Sequence, residues 1–233
     1  DRVALSSTSK RMNNVHDRFK SLKHDVSDMA SLETAIKNGA EHVILRYDDN
    51  LVEELYRMPR VKNLVIKEMH VTNIPTLPPK LVKLGLVFVQ KLKKLPTLPS
   101  TLKSLACHGC YSLEKLPKLP SNLKELFVGS QSKFIALPTL PSTLTRLGCP
   151  SNQFVQLPTL PSTLKYLNCS NNRLTALPTL PSTLKTLFCE NNRLIRLPAL
   201  PLTLTELVCE NNQLVELPAL PSTLKGLDCS DNK

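Results

Sequence analysis

From residue 137 onward the apolar and polar positions repeat every 20 residues, as LPTLPSTLTRLGCPSNQFVQ, LPTLPSTLKYLNCSNNRLTA, LPTLPSTLKTLFCENNRLIR and LPALPLTLTELVCENNQLVE. Within one unit Leu164, Leu167, Cys169 and Leu174 are apolar and Asn172 is the fixed polar position. In TLKYLNCS the apolar Leu167 and Cys169 alternate with Tyr166 and Asn168. That period of two predicts a short, half-buried strand with Leu and Cys pointing inward. The return segment LPTLPS holds two prolines. Proline lacks the N–H and clashes with the preceding helical turn, so the segment is expected to run extended and polyproline-like.

A unit of this length cannot bury its own apolar face and must stack on its neighbours. The period lies at the short end of the leucine-rich-repeat range. Earlier units keep phase: Leu126 with Val128, Leu105 with Cys107, Leu84 with Leu86, Leu64 with Ile66, and Val43 with Leu45. The fold class expected is therefore α/β, a right-handed leucine-rich-repeat solenoid over residues 41–233. It has about ten parallel strands on its concave face, a polyproline-like convex side and an incomplete last repeat. Asn152, Asn172, Asn192, Asn212 and Asn232 form a column able to satisfy buried backbone groups, with Cys110 and Gln131 at that position in earlier units.

Residues 1–40 are expected to be a helical N-terminal cap. Val15, Phe19, Leu22 and Val26 fall at helical spacing over 14–26, after Asn13 or Asn14. SLETAIKNGA reads as a second helix, capped by Ser31 and stopped by Gly39. At the other end Lys233 follows the ladder Asn directly. An uncovered strand edge there would invite self-association, a further chain segment or another molecule. The chain begins at Asp1, so a targeting segment removed upstream stays open.

Composition adds limits on function. The formal charge is +11, which favours acidic partners without fixing the fold. No stretch has the length of a membrane span and no signal-peptide core is visible. The seven cysteines fall mostly on the inward strand position: Cys107, Cys149, Cys169, Cys189, Cys209 and Cys229. They read as a buried thiol column, which points to a reducing compartment and a cytoplasmic location. Cys107 and Cys110 have CxxC spacing, but the repeat assigns one to the strand and the other to the Asn column. No catalytic, cofactor or metal residue is assigned, because the five histidines are scattered and no phosphate loop or nucleophile elbow occurs.

Function is placed on the outward strand positions of the concave face. The candidate partner-binding residues are Phe88, Phe127, Arg146, Tyr166 and Phe188, followed by the acidic Glu190, Glu206 and Glu210. Aromatic residues and Arg are the usual anchors of protein interfaces. The same residues would serve equally to pack neighbouring strands. Lys103, Lys124, Lys165, Lys185 and Lys225 share one repeat position and form a basic stripe. That stripe offers the alternatives of nucleic-acid or anionic-surface binding, or simply a solvated flank; self-assembly into a structural component is a third reading.

LPTLPSTLKYLNCSNNRLTA, with its motif LPxLPxxLxxLxxxxNxL, closely resembles the repeats of the YopM and IpaH families of bacterial effectors over about residues 58–233. The resemblance implies a host-protein-binding scaffold, active in the host cytoplasm, joined in some members to a ubiquitin-ligase domain. Residues 12–38 look similar to the helical hairpin that precedes those repeats. Those families usually carry an aliphatic residue where this chain has Cys, and such Cys-bearing repeats also resemble those of environmental bacteria and large viruses of protists. No catalytic residue of the family has a matching position here.

Overall fold

The alternation of inward Leu and Cys with outward polar residues produces one sheet. The computed structural model describes residues 24–130 and 135–233. Its strands are β1 (His24–Val26), β2 (His42–Arg46), β3 (Asn63–Lys67), β4 (Lys83–Val87), β5 (Ser104–His108), β6 (Glu125–Gly129), β7 (Arg146–Gly148), β8 (Tyr166–Asn168), β9 (Thr186–Phe188), β10 (Glu206–Val208) and β11 (Gly226–Asp228). All pairs are parallel, and the eleven strands follow sequence order. Register is constant: Leu84, Leu105, Leu126, Leu147, Leu167, Leu187, Leu207 and Leu227 face one another in turn. The chain is a solenoid in which each turn buries its leucines against the turns on either side.

Six inward positions per unit make the core. Leu164, Leu167 and Cys169 come from the strand side, Leu174 from the turn, and Leu177 and Leu180 from the proline-bearing return, and all are buried. From residue 70 on the convex returns among the described residues contain no helix. A tight bend, with the Leu164 amide donating to Pro161 O at 3.0 Å, brings each return into the next strand.

Two side-chain ladders hold the turns. Asn172 Nδ2 lies 2.9 Å from Cys149 O, 3.0 Å from Cys169 O and 3.1 Å from Ser170 O, while its Oδ1 accepts from the Phe154 amide at 3.1 Å. Asn192 and Asn212 repeat that arrangement. Cys110 fills the same position with long thiol contacts, 3.9 Å to Leu86 O and 3.7 Å to His108 O. Gln131 lies outside the described residues. A second ladder runs along the convex bend and was missed in the sequence. Thr183 Oγ1 donates to carbonyls of the preceding unit, 2.7 Å from Ser162 O and 2.8 Å from Leu164 O, and Thr143, Thr163, Thr203 and Thr223 do the same.

The N-terminal end departs from the expected helical pair. Residues 14–23 of the first expected helix lie outside the described residues, and Val26 sits in β1, paired with Leu45. Among the described residues there are thus eleven strands, where ten were expected. The second helix is present as α1 (Met29–Lys37). Its N-cap is Asp28, not Ser31: Asp28 accepts from the Ser31 amide at 2.8 Å, and Ser31 completes the capping box as N3. Gly39 ends it at φ +61°. A 3₁₀ helix over Asp49–Arg57, capped by Asp48, replaces the proline return in the first unit and buries Leu51, Val52 and Leu55.

Candidate functional site

The strand pleat fixes which side chains line the concave face. In each unit the residues before and after the first inward Leu face outward, and parallel in-register pairing stacks them at about 4.8 Å intervals. Arg146, Tyr166, Thr186 and Glu206 form one such column, and Phe127, Gly148, Asn168, Phe188 and Val208 the next. The first column brings Arg146 beside Tyr166, with the guanidinium 4.4 Å from the ring centroid. That is cation–π geometry. Arg146 Nε is also 3.9 Å from Glu125, which accepts from Ser104 at 3.1 Å.

Tyr166 lies at the centre of an aromatic group. Its ring centroid is 6.2 Å from that of Phe127 and 5.8 Å from that of Phe188, the latter pair edge-to-face. Phe127 lies across Gly148, where an added Cβ would come 2.4 Å from its ring. Phe88 does likewise over Gly109, just past the end of β5, and stacks edge-on to His108 at 5.3 Å. Phe88 adopts φ +55°, a left-handed backbone that a bulky side chain rarely takes. The equivalent exit residue is left-handed in every unit from β2 onward, from Tyr47 at φ 68° to Asp231 at φ 50°. The later units meet that demand with Asn171, Asn191 and Asn211, which tolerate it.

The predicted anchors therefore divide. Phe127, Arg146 and Tyr166 come together and stay half-exposed, and Phe88 is 38% exposed on the adjoining part of the face. Phe188 is only 5% exposed and Glu190 2%. Alternation gave their direction correctly, but neighbouring strands shade them, so they pack the face rather than present it. Val65, Val87 and Ala106 are buried in the same way, with Ile44 and Phe127 against them. Glu206 and Glu210 are half-exposed further along the face.

Lys103, Lys124, Lys165, Lys185 and Lys225 are all exposed, as a stripe along the edge where the chain enters the sheet. Their backbones stack through bonds such as Lys124 N to Lys103 O and Lys185 N to Lys165 O, at 2.8 and 2.9 Å. Among the described residues no ion pair involves them.

The seven cysteines are free, and all but Cys229 are buried. Burial pushes the Cys110 thiol up to about 11 and Cys149 up to about 12. Cys107, Cys169 and Cys189 are likewise raised well above the ordinary thiol value, by burial first and then by neighbouring thiols. Such thiols are poor nucleophiles at neutral pH. Among the described residues no three side chains gather as metal ligands, and no helix is long and apolar enough to cross a membrane.

No protein-family model and no curated protein matches the chain. Solved structures do. YopM from Yersinia enterocolitica WA-314 is 34% identical over 75% of this chain and 43% of its own, with a TM-score of 0.64. YopM from Yersinia pestis, described as a leucine-rich effector protein, is 31% identical over 75% of this chain and 55% of its own, with a TM-score of 0.58. A Shigella effector leucine-rich-repeat domain is 26% identical over 82% of this chain and 77% of its own, with a TM-score of 0.54. The chain thus spans about half the length of the two Yersinia proteins.

Proposed function

The chain is a leucine-rich-repeat protein whose repeats resemble those of bacterial effectors, and from that premise we propose that it is a scaffold binding a protein partner on its concave face. The observation that carries this reading is the Arg146–Tyr166–Phe127 group, half-exposed at the middle of the sheet. It joins a planar cation to an aromatic platform already fixed by strand register, so little side-chain entropy remains to be lost on binding. Phe88 extends the apolar surface toward the N-terminal half, and Glu206 and Glu210 form its acidic margin. No chemical step is part of this role. The free thiol column fits a reducing compartment, the host cytoplasm if the protein is an effector.

The test is capture of partners from host-cell lysate by the chain and by an Arg146→Ala, Tyr166→Ala variant, each at low and high salt. Truncating an interface anchor costs about 2 kcal/mol, roughly 30-fold in affinity. A protein retained at high salt by the parent and lost by the variant, with hydrogen exchange slowed on β6–β9, supports the reading. Capture that survives both changes but vanishes in Lys165→Gln, Lys185→Gln would move the binding surface to the basic edge and refute it.

A further inference from the structure

Opposite the lysine edge, where each unit leaves the ladder position, the repeats place one residue each in a single file: Ile135, Val155, Thr175, Ile195 and Val215. The four aliphatic members are between 55% and 73% exposed. Nothing in the fold requires apolar side chains there, since the adjacent Phe154, Leu174, Leu194 and Leu214 already fill the core. The turn is held rigidly. Arg173 N donates to Phe154 O, Arg193 N to Leu174 O and Gln213 N to Leu194 O, each at 2.9 Å, while the Leu174 and Leu194 amides donate to ladder asparagines. At the spacing of parallel strands the file runs for about 20 Å.

The column that precedes it in each unit is basic. Among the described residues Arg173, Arg193 and Lys233 are exposed in that column, and the column on the other side carries Arg196 and the acid Glu216, with Asp231 ahead of Lys233 in the last turn. Gln153, Gln156 and Gln213 complete its polar border. We propose that this ridge is a docking surface for an anionic lipid bilayer: the aliphatic tips enter the headgroup–acyl boundary and the arginines engage lipid phosphates. Two features select that occupant. The ridge is one side chain wide and projects from a row of turns, so it cannot supply the roughly 800 Å² per partner of a stable protein interface. A bilayer needs no complementary groove and accepts a row of tips. The positive border matches an anionic headgroup layer. This surface is separate from the concave face, so its failure leaves the partner-binding reading untouched, and the reverse holds.

The experiment is co-sedimentation of the chain with phosphatidylcholine vesicles, with and without phosphatidylserine. The expected result is binding that requires phosphatidylserine and weakens by more than about 10-fold in Ile195→Ser, Val215→Ser. Arg193→Gln, Arg196→Gln should weaken it by about 25-fold, at about 5-fold per basic residue. Lys165→Gln, Lys185→Gln removes equal charge from the edge where the chain enters the sheet and should change binding by less than about 3-fold, because those lysines lie across the sheet from the ridge and distant exposed charges are largely screened. The chain has no Trp, so Val215→Trp supplies a single reporter whose emission should shift to the blue on phosphatidylserine vesicles. All these positions are exposed, and unchanged far-ultraviolet circular dichroism verifies folding. Absence of vesicle binding, indifference to Ile195→Ser, Val215→Ser, or equal losses from the arginine and lysine pairs would each overturn the proposal.

Discussion

Asn172 offers a direct measure of what one rung of the ladder contributes. Each strand-exit carbonyl in this region receives two asparagine amides: Cys149 O from Asn152 and Asn172, Cys169 O from Asn172 and Asn192. In Asn172→Ala both carbonyls keep one donor. The Phe154 amide does not, because Asn172 Oδ1 is its acceptor at 3.1 Å and Phe154 is fully buried. One buried N–H without an acceptor costs about 1–3 kcal/mol, and the weakened carbonyl contacts add about 1 kcal/mol. The expected loss is about 2–4 kcal/mol.

Asn172→Asp separates the two halves of the amide. The carboxylate keeps an acceptor for Phe154 but turns negative oxygen toward Cys149 O, Cys169 O and Ser170 O, where Nδ2 now donates. It should therefore cost more than Ala at neutral pH. A repeat array can open locally, so the assay pairs urea unfolding with residue-resolved native-state hydrogen exchange. Protection at Phe154 should fall by at least about 30-fold in Asn172→Ala, the equivalent of about 2 kcal/mol. An unchanged Phe154 rate, or an Asp variant as stable as the parent, would refute the assignment of donor and acceptor roles.

Two further expectations concern the sheet faces. Gly148→Ala puts a Cβ 2.4 Å from the Phe127 ring, so Phe127 must swing off β7; a loss of about 1–3 kcal/mol by urea unfolding is expected, and an unchanged midpoint would show that the ring has room. On the inward face, Ellman's reagent should titrate Cys229 alone among the seven thiols of the native chain near neutral pH. Burial raises the folded pKa of Cys110 to about 11 and of Cys149 to about 12, above the ordinary thiol value of 9.0. The unfolded chain then sheds those protons first, so this stabilisation is complete below pH 9 and is lost as pH rises toward 11–12. Replacing Cys149 by Val should flatten that alkaline decline in melting temperature, and an identical slope would show that other groups cause it.

What the sequence made legible is what the period dictates. Leu167, Cys169 and Leu174 had to face inward because a 20-residue unit has no other way to bury them, and the buried columns follow. β1 was not legible, since His24–Val26 is too short to alternate and becomes a strand only through pairing with β2, a non-local contact. The 3₁₀ segment did carry a signal, in Asp48 ahead of Leu51, Val52 and Leu55, but it sits where later units have proline and the repeat template hid it. Exposure was the least legible quantity. Period two fixes which side of the sheet Phe188 and Glu190 face, yet on a concave sheet neighbouring outward side chains converge, and both are covered. The threonine ladder shows the same limit: Thr163, Thr183, Thr203 and Thr223 recur visibly, but their role depends on carbonyls of the unit before.

The unit around β7 departs from the template at several outward positions together, with Thr145 in place of the stripe lysine, Arg146, Gly148 and Pro150. Some of these changes explain one another. Gly148 leaves the space that Phe127 occupies, and Pro150 packs against Gly129, so each of these two changes is matched by a packing partner on β6. Arg146 belongs to no such set. Glu125 is 3.9 Å from its Nε, a weak contact for a half-exposed pair, and the Tyr166 ring it covers needs no cation for its burial. A side chain held in place by strand register, yet contributing little to the stability of the strands that hold it, is the one the proposed function assigns to a partner. That distinction, rather than the number of aromatics on the face, is why Arg146 and Tyr166 are the pair to change first.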